Sequence, residues 1–403
     1  MGDILFLAHR VPFPPDRGDK IRAYHILKHL AAHKRVHLIA FADGPGDMAA
    51  SDGLDGLTAS QSIQWRSKSR IRAMIEALLT RQAASITAFR HPKVPGAVKT
   101  ALERHAIDTI YVFSSQMAQY VPADPRQHVV MDFVDVDSAK FADYALTARW
   151  PFNWLYRREA KLLLAHDRQV AARADASLFV SEAEAAVFRE RTGAERVGAV
   201  ENGIDTVTFD PAASFDPIET SGPLIVFTGQ MDYPPNVEAV RWFADAVLPQ
   251  VQRRHRDARL AIVGRSPSPE VTALAAIDGV IVTGEVPDVR GWLAAAAVVV
   301  APLKLARGIQ NKVLEAMAMA RPVVASGPAA EGIDHADTIR VADGADAMAD
   351  AVATLLDDPD SAVALGGRAR ARVQARYGWD ARLAVLDDLI GLTAQPGPET
   401  VAA

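Results

Sequence analysis

Residues 298–326 read VVVAPLKLARGIQNKVLEAMAMARPVVAS. An apolar strand ends at Ala301, a loop with Pro302, Arg307 and Gly308 follows, a helix beginning near Ile309 carries Lys312, Glu315 and Met319, and a second β-branched run begins at Val323. Two continuous apolar strands joined by a helix form a crossover, which makes them parallel and covers both faces of their sheet. The class that follows is α/β.

The same alternation extends in both directions. Strand-like runs fall at residues 224–228, 259–263, 279–283, 297–301 and 322–325, separated by helical patterns such as 236–255 and 312–320. A separate series occupies 3–8, 36–42, 109–113, 128–133 and 176–180. Between the two lies VENGIDTVTFDPAASFDPIETSGP, residues 200–223, whose Asn, Asp, Pro and Gly mark an irregular connection. Three parts are expected: a first domain over residues 1–203, a second over 204–378, and a terminal amphipathic helix within 379–403 that packs back toward the first domain, with the tail TAQPGPETVAA frayed. Doubly wound sheets bind ligands outside the carboxyl ends of their strands, so two such domains are expected to face one cleft.

Composition narrows the function. At 403 residues, 49% hydrophobic and 23% charged, the chain can bury large cores and is not disordered. It holds no cysteine, which excludes disulfide scaffolds, iron–sulfur clusters and a thiol nucleophile. A net charge of −5 argues against a nucleic-acid partner. The opening MGDILFLAHRVPFPPDRGDK reads as a strand rather than a signal peptide, and no run approaches a membrane span, so a cytoplasmic location is expected.

Two loops could hold phosphate. After the first strand, PPDRGDKIRAYHILKHL places Gly18 ahead of a helix, with Asp16 or Asp19 as cap and Arg17, Lys20 and Arg22 nearby. The second candidate is the opening stretch. Lys312 and Glu315 lie three apart on one helical face near the N-terminus, where Arg307 and Lys312 could neutralise a diphosphate and Glu315 could accept from ribose hydroxyls. Neither a GxGxxG fingerprint nor a GxxxxGK[ST] loop occurs.

VFTGQMDYPPNVEAVRWFADAVLP, LAIVGRSP, VTGEVPDVRGWLAAAAVVVAPL and GIQNKVLEAMAMARPVVAS together resemble the donor-binding domain of GT-B retaining glycosyltransferases of the family-four group. VENGIDTVTFDP resembles that group's interdomain segment, and HRVPFPPDRGDKIRAYHILKHL its acceptor-side glycine loop, with Arg17, Gly18 and Lys20. At finer grain the opening, VMDFVDVDSAKF and the QNKVLEAMA run resemble the sugar transferases associated with exosortase (PEP-CTERM) and exopolysaccharide systems. The resemblance implies two Rossmann-like domains. It implies that Gly229, Gly264, Arg265 and Gly308 line the nucleotide pocket, that Val286 and Pro287 pass near the base, that Lys312 holds diphosphate and that Glu315 holds the donor ribose. The implied reaction is transfer with retention from a nucleotide-diphosphate sugar, a UDP-sugar foremost, to a lipid-linked or polysaccharide acceptor, with no cofactor and no metal. Two departures stand out: Arg307 replaces the first glutamate of the usual pair, and Gln230 and Asn236 stand where Arg and Lys are expected.

Breaking a glycosidic bond to a diphosphate develops an oxocarbenium-like sugar and a leaving phosphate. Arg307 and Lys312 answer the phosphate. A carboxylate near the anomeric carbon answers the sugar, and HVVMDFVDVDSAKF offers Asp135, with Asp132 as the alternative. Asp135 and Asp137 also match a short metal-holding pair, so a metal-dependent reaction is the rival. His25, His29 and His33 at i, i+4 spacing read as a polar helix face more readily than as a metal site. Ser181-Glu182 reads as a helix cap or a cleft turn. Residues 66–81, basic and amphipathic, and 149–161, where Trp150, Phe152, Trp154 and Tyr156 interleave with Arg157 and Arg158, suggest a peripheral contact with an anionic membrane. A nucleotide-sugar epimerase and a catalytically silent scaffold are the alternatives to a transferase.

Overall fold

The computed structural model describes residues 2–15, 18–306 and 309–392. They form two compact units, one of Met1–Asn202 together with the chain from Arg382, the other Gly203–Ala381.

In the first unit the strands are β1 (Asp3–Ala8), β2 (Val36–Ala42), β3 (Ser60–Trp65), β4 (Ile107–Phe113), β5 (His128–Val134), β6 (Ala176–Phe179) and β7 (Val197–Ala199). They pair in parallel in the order β3-β2-β1-β4-β5-β6-β7. Ile4 lies in register with Val36 on one side and Thr109 on the other, so β1 is central. All of β2 and nearly all of β1 are buried, which is why Ile4–Ala8 run on without a polar alternate and β2 is interrupted only by His37, bonded to Ser60 and Asp3.

The second unit repeats the plan with β8 (Leu224–Thr228), β9 (Arg259–Val263), β10 (Val280–Gly284), β11 (Val298–Ala301), β12 (Val323–Ala325) and β13 (Arg340–Val341), ordered β10-β9-β8-β11-β12-β13. In each sheet the order reverses beside the first strand, which opens a crevice at the carboxyl ends of β8 and β11 in the second unit.

Three strands escape the hydrophobic pattern. The edge strand β3, SQSIQW, is only half-buried, while β7 and β13 are three and two residues long. The expected helix 236–255 is also interrupted. It runs Pro234–Trp242, widens into a π turn at Phe243–Val247 and resumes at Leu248–Arg254. Pro249 has no N–H and its ring would meet the carbonyl one turn back, and the wider turn relieves both. The terminal helix is likewise two short pieces, Trp379–Leu383 and Val385–Leu389, although buried Trp379, Leu383, Leu386 and Ile390 keep helical spacing across the break. Among the described residues no helix is long and apolar enough to cross a membrane.

Candidate functional site

The strand ends of the second unit enclose a cleft of about 550 Å³. Gly229 closes β8, Gly264 and Arg265 follow β9, Glu285 and Val286 follow β10, and Gln310, Asn311, Lys312 and Glu315 come from the start of the Asn311–Ala318 helix after β11. Of the donor-site residues named from sequence, Gly229, Gly264, Arg265, Val286, Lys312 and Glu315 therefore share one cleft, whereas Pro287 does not line it. Arg307 and Gly308 lie outside the described residues.

Glycine is needed at two of these positions. A Cβ on Gly264 would lie 1.7 Å from the Gly229 carbonyl oxygen, so the two strand ends can cross only without a side chain there. A Cβ on Gly229 would meet the Asn236 amide at 2.8 Å and Lys312 Nζ at 3.1 Å, and would push both out of place.

Lys312 is the electrostatic centre of the cleft. Its Nζ donates to Asn236 Oδ1 at 2.7 Å and sits 4.1 Å from the centre of the Phe227 ring. Asn236 in turn donates to the Gln230 carbonyl at 2.9 Å. Burial lowers the Lys312 ammonium to about 8, with Glu315 opposing that shift, and burial raises the Glu315 carboxyl. Neither side chain ion-pairs with the other. An ammonium desolvated beside a helix N-terminus, with no ion pair to a carboxylate among the described residues, is poised to gain from a bound anion. Asn236, one of the two residues standing where Arg and Lys are expected, aims Lys312.

In the first unit the expected phosphate loop is arranged differently. Arg17 and the capping candidate Asp16 lie outside the described residues. Gly18 opens the helix Gly18–His33, and Asp19, in its first turn, is bonded to His9 and Arg10 rather than capping it. Lys20 is buried and donates to Asp47 at 2.7 Å. Arg22, 1% exposed, donates to Asp132, to the Val200 carbonyl at 2.6 Å and to Asn202 at 3.0 Å. Lys20 and Arg22 thus carry internal carboxylate partners, and the loop is not a cluster of idle cations.

Asp132 is 0% exposed, and Arg22, Tyr111 (3.0 Å) and the Val134 N–H (3.1 Å) occupy its oxygens. These surroundings give it a structural role and leave Asp135 as the accessible member of the pair. Asp135 accepts from Lys140 at 2.7 Å, and Asp137 lies 3.6 Å from the same ammonium. The two carboxylates that resemble a metal pair already share a cation. The clusters with metal-binding spacing among the described residues are others, Asp3–His37–His105 and His29–His33–Asp387.

Sequence reasoning passed over two groups beside these carboxylates. His9, at the end of β1, stacks on Phe113 at 5.7 Å and leaves Nδ1 buried without a hydrogen-bond partner. Asp167, in the helix Phe152–Arg173, is buried 3.2 Å from the Ser115 hydroxyl, and burial raises its carboxyl to about 7, with nearby Asp137 adding to the shift. Burial raises Asp137 as well. A lone Asp in a long helix gives no signal in sequence, because its partners come from the chain after β4 and the start of the preceding helix, Asp137–Thr147.

Comparison with known proteins bears on the second unit first. Residues 222–358 match the family of glycosyl transferases group 1. A GDP-mannose-dependent α-(1-6)-phosphatidylinositol monomannoside mannosyltransferase of Mycobacterium tuberculosis is 37% identical over 163 residues, which are 36% of this chain and 42% of that protein. The match thus spans about two-fifths of the length of the curated relative. Among solved structures, Anabaena HepE in complex with UDP and glucose aligns over 98% of this chain and 100% of its own, with 16% identity and a TM-score of 0.59. A Rickettsia africae glycosyltransferase aligns over 97% and 100%, with 14% identity and a TM-score of 0.61. These structures share the fold, two Rossmann-like parallel-sheet units of the GT-B class, as the family resemblance implied.

Proposed function

We propose that this chain is a glycosyltransferase that takes a sugar from a nucleotide-diphosphate donor bound in the second unit. The observation that carries the reading is Lys312, aimed by Asn236 into a strand-end cleft at a helix N-terminus and without an ion pair among the described residues. There the ammonium and the N-terminal N–H groups neutralise diphosphate, and Glu315 accepts from the ribose hydroxyls. The match of residues 222–358 to the group 1 glycosyl transferases and the UDP held by a protein of the same fold support this assignment.

The donor is a UDP-sugar in this reading. The GDP-mannose named for the mycobacterial relative makes the guanine nucleotide the alternative to be tested. The acceptor is a lipid-linked or polysaccharide chain in exopolysaccharide or cell-envelope assembly, of the exosortase-associated kind the sequence resembles. Transfer proceeds with retention, and Asp135 is the carboxylate assigned to the sugar in this reading.

The test is thermal stabilisation across UDP-, GDP-, ADP- and CMP-sugars, with Lys312→Ala beside the wild type. A selective shift lost in the variant names the nucleotide. Equal shifts in both proteins would remove Lys312 from the site and the reading with it.

A further inference from the structure

The helix Gly18–His33 carries two histidines in its last turns. His29 and His33 stand at i and i+4, so their side chains share one face, with ring centroids 5.2 Å apart and planes inclined at 64°. Where the chain returns to the first unit, the short helix Val385–Leu389 brings Asp387 to that face. Asp387 Oδ1 lies 2.8 Å from His29 Nε2, and one ligand atom from each of the three residues falls within 4.8 Å of the others.

Two imidazoles and a carboxylate suit a divalent ion of the zinc type. With bonds of about 2.0–2.1 Å, a tetrahedral zinc asks for ligand atoms about 3.4 Å apart. The separations present, from 2.8 Å to at most 4.8 Å, bracket that figure, so small side-chain rotations complete the set. Magnesium and calcium, which take oxygen ligands, find a single carboxylate in the triad.

The other group with metal-binding spacing, Asp3–His37–His105, shows why ring orientation matters. Its rings are stacked 3.8 Å apart and 20° from parallel, and His37 already engages Ser60 at 2.8 Å and Asp3 at 3.0 Å through its two nitrogens. Imidazole lone pairs lie in the ring plane, so stacked rings aim past one another. Rings inclined as His29 and His33 are can aim at one ion.

The position of the triad indicates its role. His33 closes its helix and β2 begins at Val36, so the triad lies at the end of the sheet opposite the strand ends where ligands of such sheets bind. A cation there meets the negative end of the helix dipole. The helix it would hold, Val385–Leu389, has five residues, too few to persist alone, and rests on buried Leu386 and Ile390.

We propose that His29, His33 and Asp387 bind one zinc ion, which takes the place of the proton between His29 and Asp387 and clamps the returning chain to the first helix.

The experiment is calorimetric titration of the tag-free full chain, stripped with chelator, with zinc chloride and with magnesium chloride. Wild type should bind one zinc and no magnesium. His33→Ala and Asp387→Asn should each weaken zinc binding at least about tenfold, with circular dichroism unchanged, since His33 is exposed and Asn still accepts from His29. In hydrogen exchange, zinc at about a hundred times its Kd should slow residues 384–392 by up to about a hundredfold in wild type and leave Asp387→Asn unaffected. No zinc binding by wild type, or binding unchanged in His33→Ala, overturns the proposal. Binding lost in His105→Ala and kept in Asp387→Asn assigns the ion to Asp3–His37–His105 and overturns it as well. Binding that needs His33 but not Asp387, with no slowing at 384–392, leaves a histidine pair alone and overturns the clamp.

Discussion

Arg22 and Asp132 meet 2.9 Å apart in the interior of the first unit, the guanidinium 1% and the carboxylate 0% exposed. Arg22 comes from the first helix, Asp132 from the end of β5, and the other arginine nitrogens reach the chain after β7. Such a pair is costly to halve because the survivor is a buried charge without a counterion. Arg22→Met should therefore cost about 3–5 kcal/mol, seen as an earlier urea transition of the first unit. Asp132→Asn should likewise act on stability first. Full stability with lost turnover in Asp132→Asn would mean that this carboxylate takes part in the reaction.

Lys312 makes donor binding depend on pH. Its ammonium is held at about 8 in the empty cleft, and a bound diphosphate favours the charged form. Affinity should be greatest below pH 8 and fall about tenfold for each unit above it. Lys312→Ala should lower affinity at least about tenfold at pH 7 and flatten the profile, and Lys312→Arg should flatten it while keeping most of the affinity. Calorimetric titration between pH 6 and 9 reads both effects.

Gly264→Ala places a methyl group 1.7 Å from the Gly229 carbonyl. One strand end must move, at a cost of about 1–3 kcal/mol, and Lys312 loses its seat beside Gly229. The expected outcome is a lower melting temperature together with loss of the nucleotide shift. Retained nucleotide binding would show that the strand ends can part without disturbing the cleft.

Asp167 gives a second pH signature, of opposite use. Its carboxyl stays protonated to about 7 in the folded chain, against 3.8 unperturbed. Between those values unfolding releases a proton, so stability falls as pH rises through the window. Asp167→Asn mimics the protonated form. It should match wild type near pH 4 and exceed it at pH 8 by on the order of 1–3 kcal/mol, measured as the difference in melting temperature. If turnover also disappears in the stable variant, Asp167 is a proton acceptor in the reaction.

How much of this was legible in the sequence follows from burial. Strands sealed on both faces, such as β1 and β8, write themselves as nearly continuous apolar runs, and their bounds are those read from the residues. The edge strand β3 meets water and leaves no such run. That Gly229, Gly264, Lys312 and Glu315 share one cleft was legible because each follows a recognisable strand of the second unit. Asp132 was not legible as a structural residue, because its partner Arg22 lies 110 positions away and looks like a loop cation.

The return of the chain to the first unit has a consequence for the order of assembly. Arg382 pairs with Glu201 at 2.8 Å, and Asp387 with His29 at 2.8 Å, both within that unit. The second unit, contiguous from Gly203 to Ala381, is complete in the emerging polypeptide before the first has received its last helices. The half that is synthesised first is thus the half that is finished last, and a fragment ending at Asn202 would leave His29 and Glu201 without these partners.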